Sequence, residues 1–125
     1  MKYRKACSVF AISVGLLMII MWAFFILAGM VPEFETKPAE IILHIIAELS
    51  TGIILLSAGV MTLRNSNAAR WLYPLSIGML LYTLVVSPGY YLQSGDFLIV
   101  IMFAALFILS LIFIYLFVKC RTDEN

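Results

Sequence analysis

The sequence is short of charge. Lys, Arg, Asp and Glu make up 12% of it, about half the share of an average soluble domain (~25%). Cysteine is also scarce: Cys7 and Cys120 stand at opposite ends, with no CxxC and no Cys/His cluster. That excludes a zinc ribbon and a vicinal redox pair, and leaves two free thiols. Histidine occurs once, at His44. A net charge of +1 provides none of the basic surface that nucleic acid requires. What the chain has in excess is apolar side chains, 64% of 125 residues. A chain of this length has too little interior to hide them, so the expected solvent is lipid.

The apolar residues fall into four runs, and together they use up the length. The expected spans are about 6–30, 40–63, 71–87 and 96–118, forming one domain over residues 1–125. At 1.5 Å per residue a run of 24 covers roughly 36 Å, enough to cross a ~30 Å hydrocarbon core with some tilt. Lys2, Arg4 and Lys5 precede the first run as they would in a signal peptide. The run is too long for a signal core and no small-residue cleavage site ends it, so it reads as a retained helix. Pro32 and the polar stretch 33–38 break the first helix, and RNSNAAR at 64–70 separates the second from the third. Pro74 is expected in the first turn of the third helix, where a missing N–H costs little. Ser87-Pro88-Gly89 ends that helix, because the residue before proline avoids the helical region. Residues 90–95 read as a loop, and Asp96 is a candidate N-cap for the fourth helix.

Charge gives the orientation. Lys2, Arg4, Lys5, Arg64, Arg70, Lys119 and Arg121 lie on one side of this scheme and only Lys37 on the other. Positive residues gather in the cytoplasm, so both termini are expected inside. Glu33, Glu35, Glu40 and Asp96 then face out. Trp71 and Tyr73 suit the inner interface, Tyr90 and Tyr91 the outer one. The expected architecture is an all-α, integral membrane bundle of four transmembrane helices in the cell membrane.

Against this background one stretch stands apart. Glu40, His44 and Glu48 recur every four residues in E-IIL-H-IIA-E-LS-T, and Thr51 continues the same helix face. Glu40 lies near the outer headgroups and Glu48 roughly 12 Å deeper. A charge at mid-bilayer costs ~2.5–3.5 kcal/mol on insertion scales, and carboxylates there face protein or a cavity. The stripe is therefore expected to point into the bundle, with Ile42, Ile46, Ile53 and Leu56 turned outward. The third helix offers a matching face in Tyr73, Ser76, Leu80, Thr83 and Ser87, spaced 3, 4, 3, 4. Thr83 and Ser87 are level with the stripe and can bond a carboxylate or imidazole. In the first helix Ser8, Gly15, Trp22 and Gly29 recur every seven residues, a pattern that favours close helix packing. The fourth helix, nearly uniform between Phe97 and Val118, reads as a wall.

The candidate site is thus Glu40, His44, Glu48, Thr51, Thr83 and Ser87, binding a cation, a proton or a small polar ligand from the outer side. Two residues of it, His44 and Glu48, have the i, i+4 spacing that can hold a metal ion, with oxygen donors completing the set. No cofactor is required by any motif. The second reading is an accessory or assembly subunit of a membrane complex, in which the stripe only satisfies itself and fixes helix register. A membrane enzyme comes third. His44–Glu48 can orient a base, but no nucleophile motif accompanies it, and Lys37 alone stands on the outer side to hold a phosphate. The expected partners are the bilayer and a further copy or a larger membrane complex, not nucleic acid.

Overall fold

The described residues form helices joined by short turns. A computed structural model describes residues 3–31 and 33–124, with side chains except those of Glu33, Tyr90, Tyr91, Ser94 and residues 121–124. Lys2, Pro32 and the side chains of Glu33, Tyr90, Tyr91 and Arg121, all used above, lie outside the described set. The helices are α1 (Arg4–Leu27), α2 (Glu33–Thr36), α3 (Pro38–Leu63), α4 (Ala69–Val86), α5 (Pro88–Ser94) and α6 (Phe97–Glu124). Four of them, α1, α3, α4 and α6, are long and apolar enough to cross a membrane. The two polar connections read as loops in the sequence are instead short helices, α2 and α5.

Local chemistry sets the ends. After α1, Gly29 takes a left-handed φ of 69°. The Gly29 N–H bonds the Ile26 carbonyl and the Met30 N–H that of Phe25, the paired closing bonds of a Schellman motif. The end of α3 repeats the device with Asn65 at φ 56°. There the Asn65 N–H reaches the Thr62 carbonyl and the Ser66 N–H that of Met61. Asparagine is one of the few side chains with a β-carbon that visit this conformation. Gly29 thus terminates α1 and does not extend its packing seam. Pro38 opens α3, and Glu40 sits in its first turn, where a negative charge meets the positive end of the helix dipole. Asp96 precedes α6, and its carbonyl accepts from the Val100 N–H. α4 starts at Ala69, two residues before the expected Trp71, because 66–68 already turn helically. Pro74 is therefore inside the helix, not in its first turn, and the Arg70 carbonyl loses its i+4 partner.

Neighbours pack in a ring: α1 on α3, α3 on α4, α4 on α6, and α6 back on α1. The α1–α3 contact is the most extensive, and glycine makes it so. A Cβ built on Gly15 would lie 2.7 Å from the Gly52 oxygen, and one on Gly59 would lie 3.0 Å from the Ser8 oxygen. Seven residues up α1 correspond to seven residues down α3, so the two helices run antiparallel with their backbones in touch. α4 and α6 join through Tyr73 stacked on Phe117 (4.4 Å, 14°), and α1 and α6 through Phe10 stacked on Phe113 (4.5 Å, 17°).

The bundle has two unlike ends. One carries Arg4, Lys5, Arg64, Arg70 and Lys119; the other carries Glu35, Glu40 and Asp96 with Lys37. The main core lies toward the basic end and includes Cys7, Ala11, Val14, Leu55, Ala58, Tyr73, Ile77, Leu80, Leu84 and Phe117. Tyr73 belongs to it. Its ring is fully buried and its hydroxyl donates to the Cys7 carbonyl at 3.0 Å, so it is a core residue and not part of an interfacial belt. Trp71, beside it in sequence, is 62% exposed. The outer surface is covered with Leu, Ile, Val and Phe side chains, on α6 most of all.

Candidate functional site

The polar face of α3 turns inward at Glu48. Its side chain is 7% exposed and is met by donors from the two flanking helices. The Trp22 indole N–H, on α1, donates to Oε2. The Ser87 hydroxyl, at the end of α4, donates to Oε1 at 2.9 Å. His44, one turn earlier on α3, places Nε2 3.5 Å from Oε1 with its side chain 36% exposed. The Trp22 and His44 rings meet edge to face at 5.8 Å. Three helices are thus tied to one carboxylate, and the histidine connects it to the surface at the acidic end. Trp22, Val31 and Ile45, with Phe25, Ile41 and Leu49 against them, form a second, smaller core around this group.

The other expected members are placed differently. Glu40 is exposed at the mouth of α3, two turns from Glu48. Thr51 and Thr83 are buried, but each hydroxyl donates to a carbonyl of its own helix, Ala47 and Leu80 respectively, both at 2.8 Å. These bonds satisfy the threonines without reaching the carboxylate. The structure therefore brings together His44, Glu48 and Ser87, turns Thr51 and Thr83 to their own helices, and leaves Glu40 apart. The opposite face of α3 turns outward at Ile42, Ile46 and Ile53.

Trp22 is the member that sequence reasoning assigned to packing alone. Its heptad relation to Ser8 and Gly15 contained the signal. If Gly15 meets Gly52 in an antiparallel hairpin, the position seven residues on in α1 falls opposite Ile45, within a turn of Glu48. Indole is a donor without acceptor capacity, so Trp22 fixes Oε2 as an acceptor. Hydroxyl and imidazole, both facing Oε1, can either donate or accept. The two oxygens are therefore not equivalent. Among the described residues no three of His, Cys, Asp and Glu come together as a metal-holding group. His44 and Glu48 remain a pair.

These features define a class: a helical protein with four bilayer-length helices and one buried carboxylate shared among three of them. Over residues 1–125 the chain belongs to the family described as Domain of unknown function (DUF8058). No curated protein and no solved structure matches it.

Proposed function

We propose that the protein is a small multi-pass membrane protein, with both termini in the cytoplasm, that binds an exchangeable ligand at Glu48 from the outer side. The ligand is a proton, a cation or a small polar molecule. The apolar outer surface of α1, α3, α4 and α6 supports the bilayer as its solvent, and the basic end supports the orientation. The observation that carries the binding reading is the buried Glu48 carboxylate paired with half-exposed His44. A carboxylate serving only to hold helices together needs no titratable neighbour open to the surface. Glu48 is the deep acid, His44 its exchanging partner, and Ser87 and Trp22 position it; Glu40 contributes charge at the entrance.

The alternative is an accessory subunit in which the same bonds only fix helix register. The Trp22 and Ser87 bonds favour it, since they already satisfy Glu48 from both sides. Glu48→Gln separates the two, because an amide keeps the shape and removes the charge. For a binding protein, thermal stability in detergent depends on pH between about 5 and 8 or on added cations, through competition at the two titratable groups. A ligand at a hundredfold excess over its Kd stabilises by ~2.7 kcal/mol. Glu48→Gln and His44→Ala should lose that dependence. Wild type and Glu48→Gln with identical, flat profiles across both series refute the binding reading in favour of the accessory subunit.

A further inference from the structure

We infer that the species Glu48 exchanges is a proton, that it lands on Oε1 by way of His44, and that it comes and goes from the acidic end alone. The inference rests on the binding reading above and adds the ligand and the direction.

The ligand follows from the donors. Oε2 faces Trp22, which has a hydrogen to give and no lone pair to offer. A proton placed on Oε2 would find no acceptor in Trp22, and a metal ion at Glu48 would have only His44 beside it, with no third His, Cys, Asp or Glu among the described residues. Oε1 has no such obstacle. Ser87 and His44, its two neighbours, can reverse their roles and accept. A proton from solvent first occupies His44, giving imidazolium. The imidazolium then passes it from Nε2 to Oε1 and returns to neutral imidazole, leaving Glu48 as the neutral acid with its O–H directed at Ser87 Oγ. No other atom gains or loses a proton. The 3.5 Å from Nε2 to Oε1 exceeds a bonded distance, so the transfer needs a side-chain rotation that closes the gap.

The direction follows from what surrounds the site. Of the elements packed against α3, α1 presents Trp22 and α4 presents Thr83 and Ser87, none of which titrates. α2 carries Glu35, exposed, at the same end as Glu40. Every described titratable neighbour thus lies toward the acidic end. Inward from Glu48, Thr51 and Thr83 give their hydrogens to their own helices. Beyond them Val14, Leu55, Ile77 and Leu80 form a buried apolar layer, which fills roughly 10 Å along α4 between Thr83 and Ser76. It separates Glu48 from Ser76, Tyr73 and Cys7. Among the described residues a proton on Glu48 has no hydrogen-bonded continuation across this layer, so the site senses pH on one side and does not pass protons through.

Trp22 reports on it directly. The chain has two tryptophans, and Trp71→Phe, far from the site, leaves Trp22 as the only indole. The full-length Trp71→Phe protein is reconstituted in phospholipid vesicles, with orientation scored by Cys120 labelling with an impermeant thiol reagent. A pH step from about 8 to about 5 is applied to either side, with a pH dye inside. The expected result is a change in Trp22 emission for steps on the acidic-end side only, with no proton entry above protein-free vesicles. Glu48→Gln abolishes the change, and His44→Ala slows it at least severalfold. If Glu48→Gln does not fold, Ser87→Ala retains the carboxylate and moves the midpoint by about tenfold in proton concentration, the worth of one hydrogen bond. An equal response from the basic end, or dye-detected proton entry, overturns the one-sided site while leaving the binding reading intact. A response to cations at constant pH and none to pH overturns the proton. If neither pH nor cations change emission or stability, the binding reading itself fails.

Discussion

A β-carbon added at Gly15 tests the contact that aligns the site. It would stand 2.7 Å from the Gly52 oxygen and 3.0 Å from the Leu56 nitrogen. Both are backbone atoms of α3, so no rotamer relieves the clash and the helices must separate. Overpacking of this kind costs ~1–3 kcal/mol. Replacing a helical glycine by alanine returns ~1 kcal/mol of propensity, so Gly15→Ala should be destabilising by up to ~2 kcal/mol. Gly78, on the outward face of α4, is the internal control: nothing lies within 4 Å of its added Cβ. Gly78→Ala keeps only the propensity gain and should stabilise by up to ~1 kcal/mol. Gly59→Ala, whose Cβ would meet Ile12 Cγ1 at 2.5 Å and the Ser8 oxygen at 3.0 Å, should also destabilise, and Gly52→Ala, with no contact under 3.1 Å, should fall between Gly15→Ala and Gly78→Ala. Unfolding by a denaturing detergent, followed by far-ultraviolet circular dichroism, measures all four. Separation of α1 from α3 also draws Trp22 away from Glu48, so Gly15→Ala should alter Trp22 emission where Gly78→Ala does not. Equal stability changes of the same sign at Gly15 and Gly78 would refute the close backbone contact, and with it the reason Trp22 reaches Glu48.

Two further outcomes are expected. Trp22→Phe leaves Oε2 buried without a donor and should cost ~1–3 kcal/mol; the loss should shrink on a Glu48→Leu background, where nothing is left unsatisfied, and an unchanged loss in that double mutant assigns the effect to ring packing. Reporters after Asn125 and between Asn65 and Asn67 should read cytoplasmic and one near Thr36 external; labelling of Cys120 by an impermeant reagent in intact cells would reverse the orientation.

Helix positions were readable because their causes are local. Apolar length, the breaks at 32–38 and 64–70, and the acid at Glu40 all act within a few residues. The errors were also local in kind. Pro74 looked like a first-turn residue because nothing in RNSNAAR announces that helix resumes before Trp71. The segments Glu33–Thr36 and Pro88–Ser94 looked like loops because helices of one or two turns leave no periodic pattern. Tyr73 looked interfacial by its nearness to the helix end, although its place in the 3, 4, 3, 4 face with Ser76 and Leu80 already pointed inward.

The sequence by itself determined that the protein is helical, that four of its helices can cross a bilayer, and that one face of α3 carries acid, imidazole and acid in line. Composition and period suffice for this, since each depends on side chains close together in the chain. Which of those groups meet was decided only by the tertiary structure. The Gly15–Gly52 and Gly59–Ser8 contacts fix the α1–α3 register, and that register, not any motif, puts Trp22 on Glu48. The end of α4 supplies Ser87, while Thr51 and Thr83 turn to their own backbones and Glu40 stays in solvent. A hydrogen bond depends on ångströms between helices, and those distances are set by how closely the backbones pack, which no single helix encodes.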